Sequence, residues 1–441
     1  MYSKLIYYII YPMLLVTLSS ATGCSDHQLT WEKIIQEGEL RFATVEGPAT
    51  YYETPSGPAG FEYELAKRFA EKIGVNLRLV IASNSYDVIS MVTDKKAAIG
   101  GAALMSTSAP ENIKFGPGYY SVPQQLIYHR GETRPADLSD IETGSQDINA
   151  LLRMVQHKEI KSTVANSYQV NLFKHLYPDI RVAFNVTEPQ SIAWIYRSND
   201  DQLDMAISDF FEDLNKSGEL DLLIDRYFGH MIVFDYIDTS TFLERVSKRL
   251  PQYEELFKKI GKKYNIDWTL LAAMSYQESH WQETAKSPTG VRGLMMLTLD
   301  TAEHLGISDR TDPEQSVDGG ARYFTLLMEE IPARIDLPDR IWMALAAYNV
   351  GLQHLEHARI ITQQNGNDPD RWRDVRKTLL QLGAEPVENA NKPEVRWNEP
   401  VRYVRNIRKY RDILRWLNFE KGKLAKETKQ PHVLSINSPV L

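Results

Sequence analysis

The sequence predicts two folded domains of different class in one chain. An α/β domain spans 27–235 and an all-helical domain 239–420, with a leader over 1–24 and a loose tail over 421–441. Length is the first ground: 441 residues are too many for one ordinary core and suggest two or three domains. Texture is the second. Strand and amphipathic-helix patterns alternate up to Asp235, and from Thr239 onward helical periods replace the strands.

The leader reads as an export signal. Lys4 is followed by an apolar run, Leu5 to Leu18, and then by Ser19-Ser20-Ala21-Thr22-Gly23-Cys24, a charged start, an apolar centre and small residues at the cut. The run is short for a membrane span and contains Pro12. Cys24 is the single cysteine, so the chain can form no internal disulfide. Its setting resembles a bacterial lipobox, whose thiol carries lipid after cleavage, although Ala21 stands where that motif usually has Leu. Ser25, rather than Asp, would fit sorting to the outer membrane if the lipobox is real. The alternative is an ordinary cleavage site with Cys24 unmodified.

In the first domain, Gly38 and then Glu39 to Val45 read as a turn and a buried strand. Gly60 to Gly74 reads as an amphipathic helix, with Phe61, Leu65, Phe69 and Ile73 on one face and Gly74 as its stop. Leu77 to Ile81 alternates like the next strand. Such repeats imply a parallel or mixed sheet covered by helices. In the second domain the clearest helices are Ile266–Ser279, Gly319–Ile331 and Asp339–Tyr348, with Asp267 and Asp339 placed to cap the first and third. The tail is polar and carries Pro431 and Pro439.

Composition narrows the function. Hydrophobic content of 43% with 24% charged residues suits a folded soluble protein. A net charge of −8 gives no general basic field, which argues against nucleic acid as a partner.

The chemistry points to one carboxylate. On the helix ending in Tyr276-Gln277-Glu278-Ser279-His280-Trp281, Glu278 shares a face with Leu271, Met274 and Ser275. Burial and a place in the last turn, where the helix dipole disfavours negative charge, would both raise its pKa, as a general acid near neutral pH requires. A solvated helix-end Glu is the bland alternative, and three further segments decide against it. Ser287 to Thr298 is a turn-rich stretch whose glycines let backbone come close to a ligand. Ala346-Ala347-Tyr348-Asn349-Val350-Gly351 ends a helix with a polar aromatic and an amide, and Glu399-Pro400-Val401-Arg402-Tyr403-Val404 opens the last one.

In this order the segments resemble the lytic transglycosylases of lysozyme-like fold: a Glu-Ser pair on a helix, a Gly-Leu-Met segment, and Ala-Tyr-Asn-x-Gly. The wording is similar to that of the membrane-bound lytic murein transglycosylase F family. It extends to the doubled Met295-Met296 and to Tyr227-Phe228-Gly229-His230 with Phe234-Asp235-Tyr236 at the domain junction. The resemblance implies a cofactor-free, metal-free lyase that cuts peptidoglycan glycan strands at the periplasmic face of the outer membrane. Glu278 would be the acid and then the base, closing a 1,6-anhydro ring without water. Ser287, Tyr348 and Asn349 match substrate-binding positions and Glu399 an acidic position near the cleft. Met296 stands where many relatives outside the subfamily carry Gln, so an apolar contact would replace a sugar hydrogen bond. Tyr276, His280 and Trp281 are candidates for ring stacking, with core packing as the alternative for Trp281.

The first domain resembles the two-lobed solute-binding proteins of amino-acid transporters, through Gly38 to Val45, Gly60 to Ala66 and Gly116-Pro117-Gly118-Tyr119-Tyr120. Its ligand positions are altered. Ser106 to Asn112 lacks the usual Arg, Asn166 replaces an Asp, and the short stretch from Asp140 to Leu151 implies a trimmed second lobe. A small peptide or amino-acid effector and a retained scaffold are both open. Two rivals remain for the whole chain: a muramidase using Glu399 as second carboxylate, and a sensor with an inactive lysozyme-like domain.

Overall fold

A computed structural model describes residues 30–427, apart from 48–49, 55–56, 103, 105–109, 140, 142–147, 175, 230–235, 289 and 385–395. The leader, Cys24, most of the loop from Ser106 to Asn112, and 428–441 therefore lie outside the described residues.

Lobe one contains α1 (Thr30–Glu37), β1 (Glu39–Val45), the hairpin β2 (Tyr52–Thr54) and β3 (Gly57–Ala59), α2 (Phe61–Lys72), β4 (Asn76–Ala82), α3 (Ser85–Thr93), β5 (Ile99–Gly100) and β6 (Ile113–Phe115). The chain leaves through β7 (Tyr120–Val122) and builds lobe two from β8 (Gln124–His129), α4 (Ile148–Gln156), β9 (Ser162–Asn166), α5 (Ser167–Lys174) and β10 (Ile180–Asn185). It returns through β11 (Gln190–Ile192), paired antiparallel with β7, to β12 (Ile195–Arg197), α6 (Asp201–Ser217) and α7 (Glu219–Phe228). Lobe one has a five-stranded sheet in the order β4-β1-β5-β12-β6, and lobe two a three-stranded sheet in the order β10-β8-β9.

β1 shows why these residues form a covered strand. Leu40, Phe42, Ala43 and Thr44 are all buried because helices lie on both faces. Phe42 packs with Phe61, Leu65 and Phe69 of α2, while its neighbour Ala43 points the other way, to Val88 and Val92 of α3. As the spacing predicts, α2 stops at Lys72, with Gly74 at φ 73° where a side chain would strain the turn.

The helical domain comprises α8 (Tyr236–Lys248), α9 (Leu250–Tyr264), α10 (Trp268–Ser279), α11 (Leu299–His304), α12 (Pro313–Glu330), α13 (Asp339–Val350), α14 (Leu352–Gln364), α15 (Trp372–Leu382) and α16 (Asn398–Glu427). α10 is its centre: every residue from Thr269 to Tyr276 is buried. Glu278 thus does not lie on one buried stripe of an amphipathic helix, because the helix is enclosed nearly all round. Asp267 caps α10, accepting from the Thr269 amide at 2.9 Å.

α16 runs antiparallel to α10 and is pinned at both ends. Arg415 Nε donates to Asp267 at 2.7 Å beside the start of α10, and Tyr403 reaches Glu278 at its end. Burial alone would raise the Asp267 pKa, but the Arg415 charge and the Thr269 bonds outweigh it and hold it low. α16 also joins the domains. Arg415 lies over the Tyr52 ring, and Trp416 meets Phe173 of lobe two edge to face at 5.1 Å.

Two expectations are corrected. Asp339 does not cap α13; Pro338 occupies that position, and the Asp339 carboxylate instead accepts from Arg226 at 2.8 Å and from the Trp372 amide at 3.0 Å. Capping loses here to an ion pair across the domain junction. The tail does not loosen at 421, since α16 continues to Glu427. Among the described residues no helix is long and apolar enough to cross a membrane.

Candidate active site

Glu278 occupies the last turn of α10, which ends abruptly because His280 and Trp281 take positive φ, 52° and 55°. Burial pushes the Glu278 pKa up to about 7, even though the Tyr403 hydroxyl, donating to Oε1 at 2.5 Å, pulls it down. Among the described residues no charged neighbour contributes to the shift. Near neutral pH this carboxyl is divided between acid and base forms, which suits a group that must give a proton and take one back.

Two tyrosines flank it. Burial first, and the Glu278 charge next, hold Tyr348 and Tyr403 well above the usual phenol range, so both keep their protons. Their rings stack at 6.5 Å and 13°. Tyr403 spends its proton on Glu278, whereas Tyr348 donates to the Met295 carbonyl at 3.0 Å.

The loop after α10 is fixed by backbone contacts. Ser275 and Ser279 both donate to the Leu294 carbonyl, at 3.1 and 2.9 Å, and the Met295 amide donates to Ser316 at 3.2 Å. Gly293, at φ 86°, approaches the Arg310 carbonyl so closely that a Cβ would lie 1.8 Å from it. Its role is to bring protein backbone together, not to admit a ligand as expected. Met296 sits half-buried at φ 47°, a conformation a side chain adopts at a cost and one that clusters at functional sites.

The expected residues divide into two groups. Glu278 and Tyr348 adjoin the loop that carries Met296. The other three stand apart from the acid's hydrogen bonding: the half-buried Ser287 accepts from the Val291 amide at 3.2 Å, Asn349 is exposed at the end of α13, and Glu399 pairs with Arg396 at 3.0 Å and Arg402 at 3.8 Å. Tyr276 and Trp281 are core residues. Tyr276 Oη accepts from Arg245, and Trp281 Nε1 donates to the Ala272 carbonyl at 2.9 Å. His280 packs on the Tyr276 ring. Tyr403, the partner of the acid, was missed as a site residue, although it lies one helical turn beyond Glu399.

Fold and site together define a class: a solute-binding-type α/β domain joined to a helical domain whose central helix ends in a half-buried acid, Glu278, with a raised pKa. Residues 40–230 match the bacterial extracellular solute-binding proteins, family 3, and 255–370 match the transglycosylase SLT domain. The chain belongs to the membrane-bound lytic murein transglycosylase F family. It is similar to the protein of that name from Hahella chejuensis, 37% identical over 94% of this chain and 89% of that one. The Erwinia tasmaniensis protein of the same name is 39% identical over 90% of this chain and 87% of its own. Among solved structures, an amino acid ABC transporter substrate-binding protein from Streptococcus pneumoniae aligns with 46% of this chain and all of its own, at 21% identity and TM-score 0.40.

Proposed function

We propose that the chain is a peptidoglycan lytic transglycosylase that cleaves the β-1,4 bond between N-acetylmuramic acid and N-acetylglucosamine. Glu278 protonates the glycosidic oxygen and the bond to muramoyl C1 breaks. The resulting carboxylate takes the proton of the muramoyl 6-hydroxyl, whose oxygen closes onto C1 as a 1,6-anhydro ring. The proton returns to Glu278 and no water is consumed. The observation that carries this reading is one desolvated carboxyl, at a pKa of about 7, with a tyrosine as its hydrogen-bond partner. Two-carboxylate glycosidases need a second acid for the water or the covalent step. Glu399, the rival for that role, is drawn to two arginines instead.

Tyr403 orients the acid, and Tyr348 with Asn349 positions the sugar and the developing oxocarbenium ion. Ser287 contacts the sugar or its N-acetyl group, and Met296 supplies an apolar contact. The membrane-bound relatives favour export to the periplasmic face of the outer membrane, anchored through lipid on Cys24. The first domain serves as scaffold or as a receptor for a small peptide or amino acid.

Mass spectrometry of murein sacculi digested by the mature chain and by Glu278→Gln tests the reading. Anhydromuramoyl ends that vanish in the variant support it. Reducing muramoyl ends would make the protein a hydrolase.

A further inference from the structure

Trp342 on α13 is buried beneath two guanidinium groups of α16, Arg408 at 4.8 Å and Arg411 at 4.7 Å from its ring centroid. We infer that this stack is a positioning device for the acid: it fixes the register of α16 against α13 that brings the Tyr403 hydroxyl to Glu278. The inference rests on reading Glu278 as the catalytic acid.

The register argument comes from paired contacts. α13 and α16 touch through Trp342 with Arg408 and Arg411, and again through Tyr348 with Tyr403. Along α13 these contacts are six residues apart, about 9 Å; along α16 Tyr403 precedes the arginines by five and eight residues, about 7.5 and 12 Å. Both contacts therefore belong to one antiparallel register. Sliding α16 by one turn, about 5.4 Å, would break both.

The chemistry of the stack suits a gauge of position. Among the described residues Trp342 Nε1 has no hydrogen-bond partner, and its side chain is held by ring faces and packing. Each guanidinium is aimed by another group: Arg408 donates to the Arg226 carbonyl at 2.5 Å and Arg411 to Asp412 at 2.8 Å. Arg408 is almost fully buried, and burial, offset in part by Asp412 and Asp225, lowers its pKa to about 10; it remains a cation at neutral pH. A planar, charged group over an aromatic face fixes distance and tilt in a way that aliphatic contacts do not. The residue it serves has little tolerance. A hydrogen bond of 2.5 Å is lost within about 1 Å of displacement. Among the described residues the titratable groups facing Glu278 are Tyr403 from α16 and Tyr348 from α13.

The test is the titration of the Glu278 carboxyl by ¹³C NMR in the full mature chain, assigned by its loss in Glu278→Gln and therefore independent of cleavage. Removing the Tyr403 bond by Tyr403→Phe should raise the midpoint by about one pH unit. Trp342→Leu should reproduce that rise, and the double variant should go no further. Trp342→Phe, which keeps a ring face, should stay near wild type. Arg411→Met serves as a second probe. A folded Trp342→Leu or Arg411→Met with an unmoved titration would overturn the inference, as would additive shifts in the double variant. Collapse of both variants would make the stack a plain core element and count equally against it. On glycan substrate Tyr403→Phe, Trp342→Leu and Arg411→Met should each lose about tenfold in kcat with KM little changed. A wild type that cleaves nothing while the titrations behave as stated would overturn the functional reading and leave the stack standing.

Discussion

Each domain carries a glutamate on a helix in a desolvated setting, and the two are wired in opposite ways. Glu62 lies in the first turn of α2, where the helix dipole favours negative charge, and receives bonds from Tyr119 Oη at 2.5 Å and Trp194 Nε1 at 2.9 Å. A Cβ on Gly101 would come within 2.7 Å of its Oε2, so the site is closed by packing as well. Glu278 lies in the last turn of α10, where the dipole opposes its charge, and among the described residues has one donor, Tyr403. A satisfied carboxylate holds a fold together. One left short of partners in a desolvated setting can exchange a proton near neutral pH.

That contrast can be broken most directly by removing the charges. Glu278→Gln should cut glycan cleavage at least about a thousandfold while leaving the melting temperature unchanged or raised. Glu62→Leu should do the reverse. It strands the Tyr119 and Trp194 donors at about 1–3 kcal/mol each, seen in denaturant unfolding, while the folded fraction still cleaves.

The pH dependence sharpens the comparison. Glu278 rises from the ordinary 4.5 to about 7 on folding, so the folded chain holds this proton more tightly than the unfolded one. Its contribution to stability is complete below about pH 4.5 and is lost as pH rises through 7. Between pH 5 and 8 the wild type should lose up to about 3 kcal/mol relative to Glu278→Gln, read from paired melting curves. Tyr403→Phe gives the smallest effect, about a tenfold loss of kcat with the alkaline limb of the pH–rate profile moved upward.

Much of this was legible in the sequence. The three-to-four spacing of Phe61, Leu65 and Phe69 marked α2, and Asp267 before an apolar run marked the start of α10. Glu278 was legible through its context: burial beside Leu271, Met274 and Ser275 left a solvated helix-end Glu open, and the ordered segments Ser287 to Thr298, Ala346 to Gly351 and Glu399 to Val404 decided against it. Tyr403 was harder to read, since its role depends on how α16 lies along α10, more than a hundred residues away in sequence. Asp339 shows the same limit. Local pattern offered a helix cap, and the long-range partner Arg226 claimed the carboxylate. Local spacing identifies elements; it does not reveal which distant side chains meet.

The central claim is that one carboxyl performs both proton transfers and that water takes no part. Digestion of murein in H₂¹⁸O, with mass analysis of the newly formed muramoyl ends, tests it most directly. The account predicts 1,6-anhydro ends that carry no ¹⁸O. Ends bearing ¹⁸O at C1 would contradict it, and would require a second group that activates water.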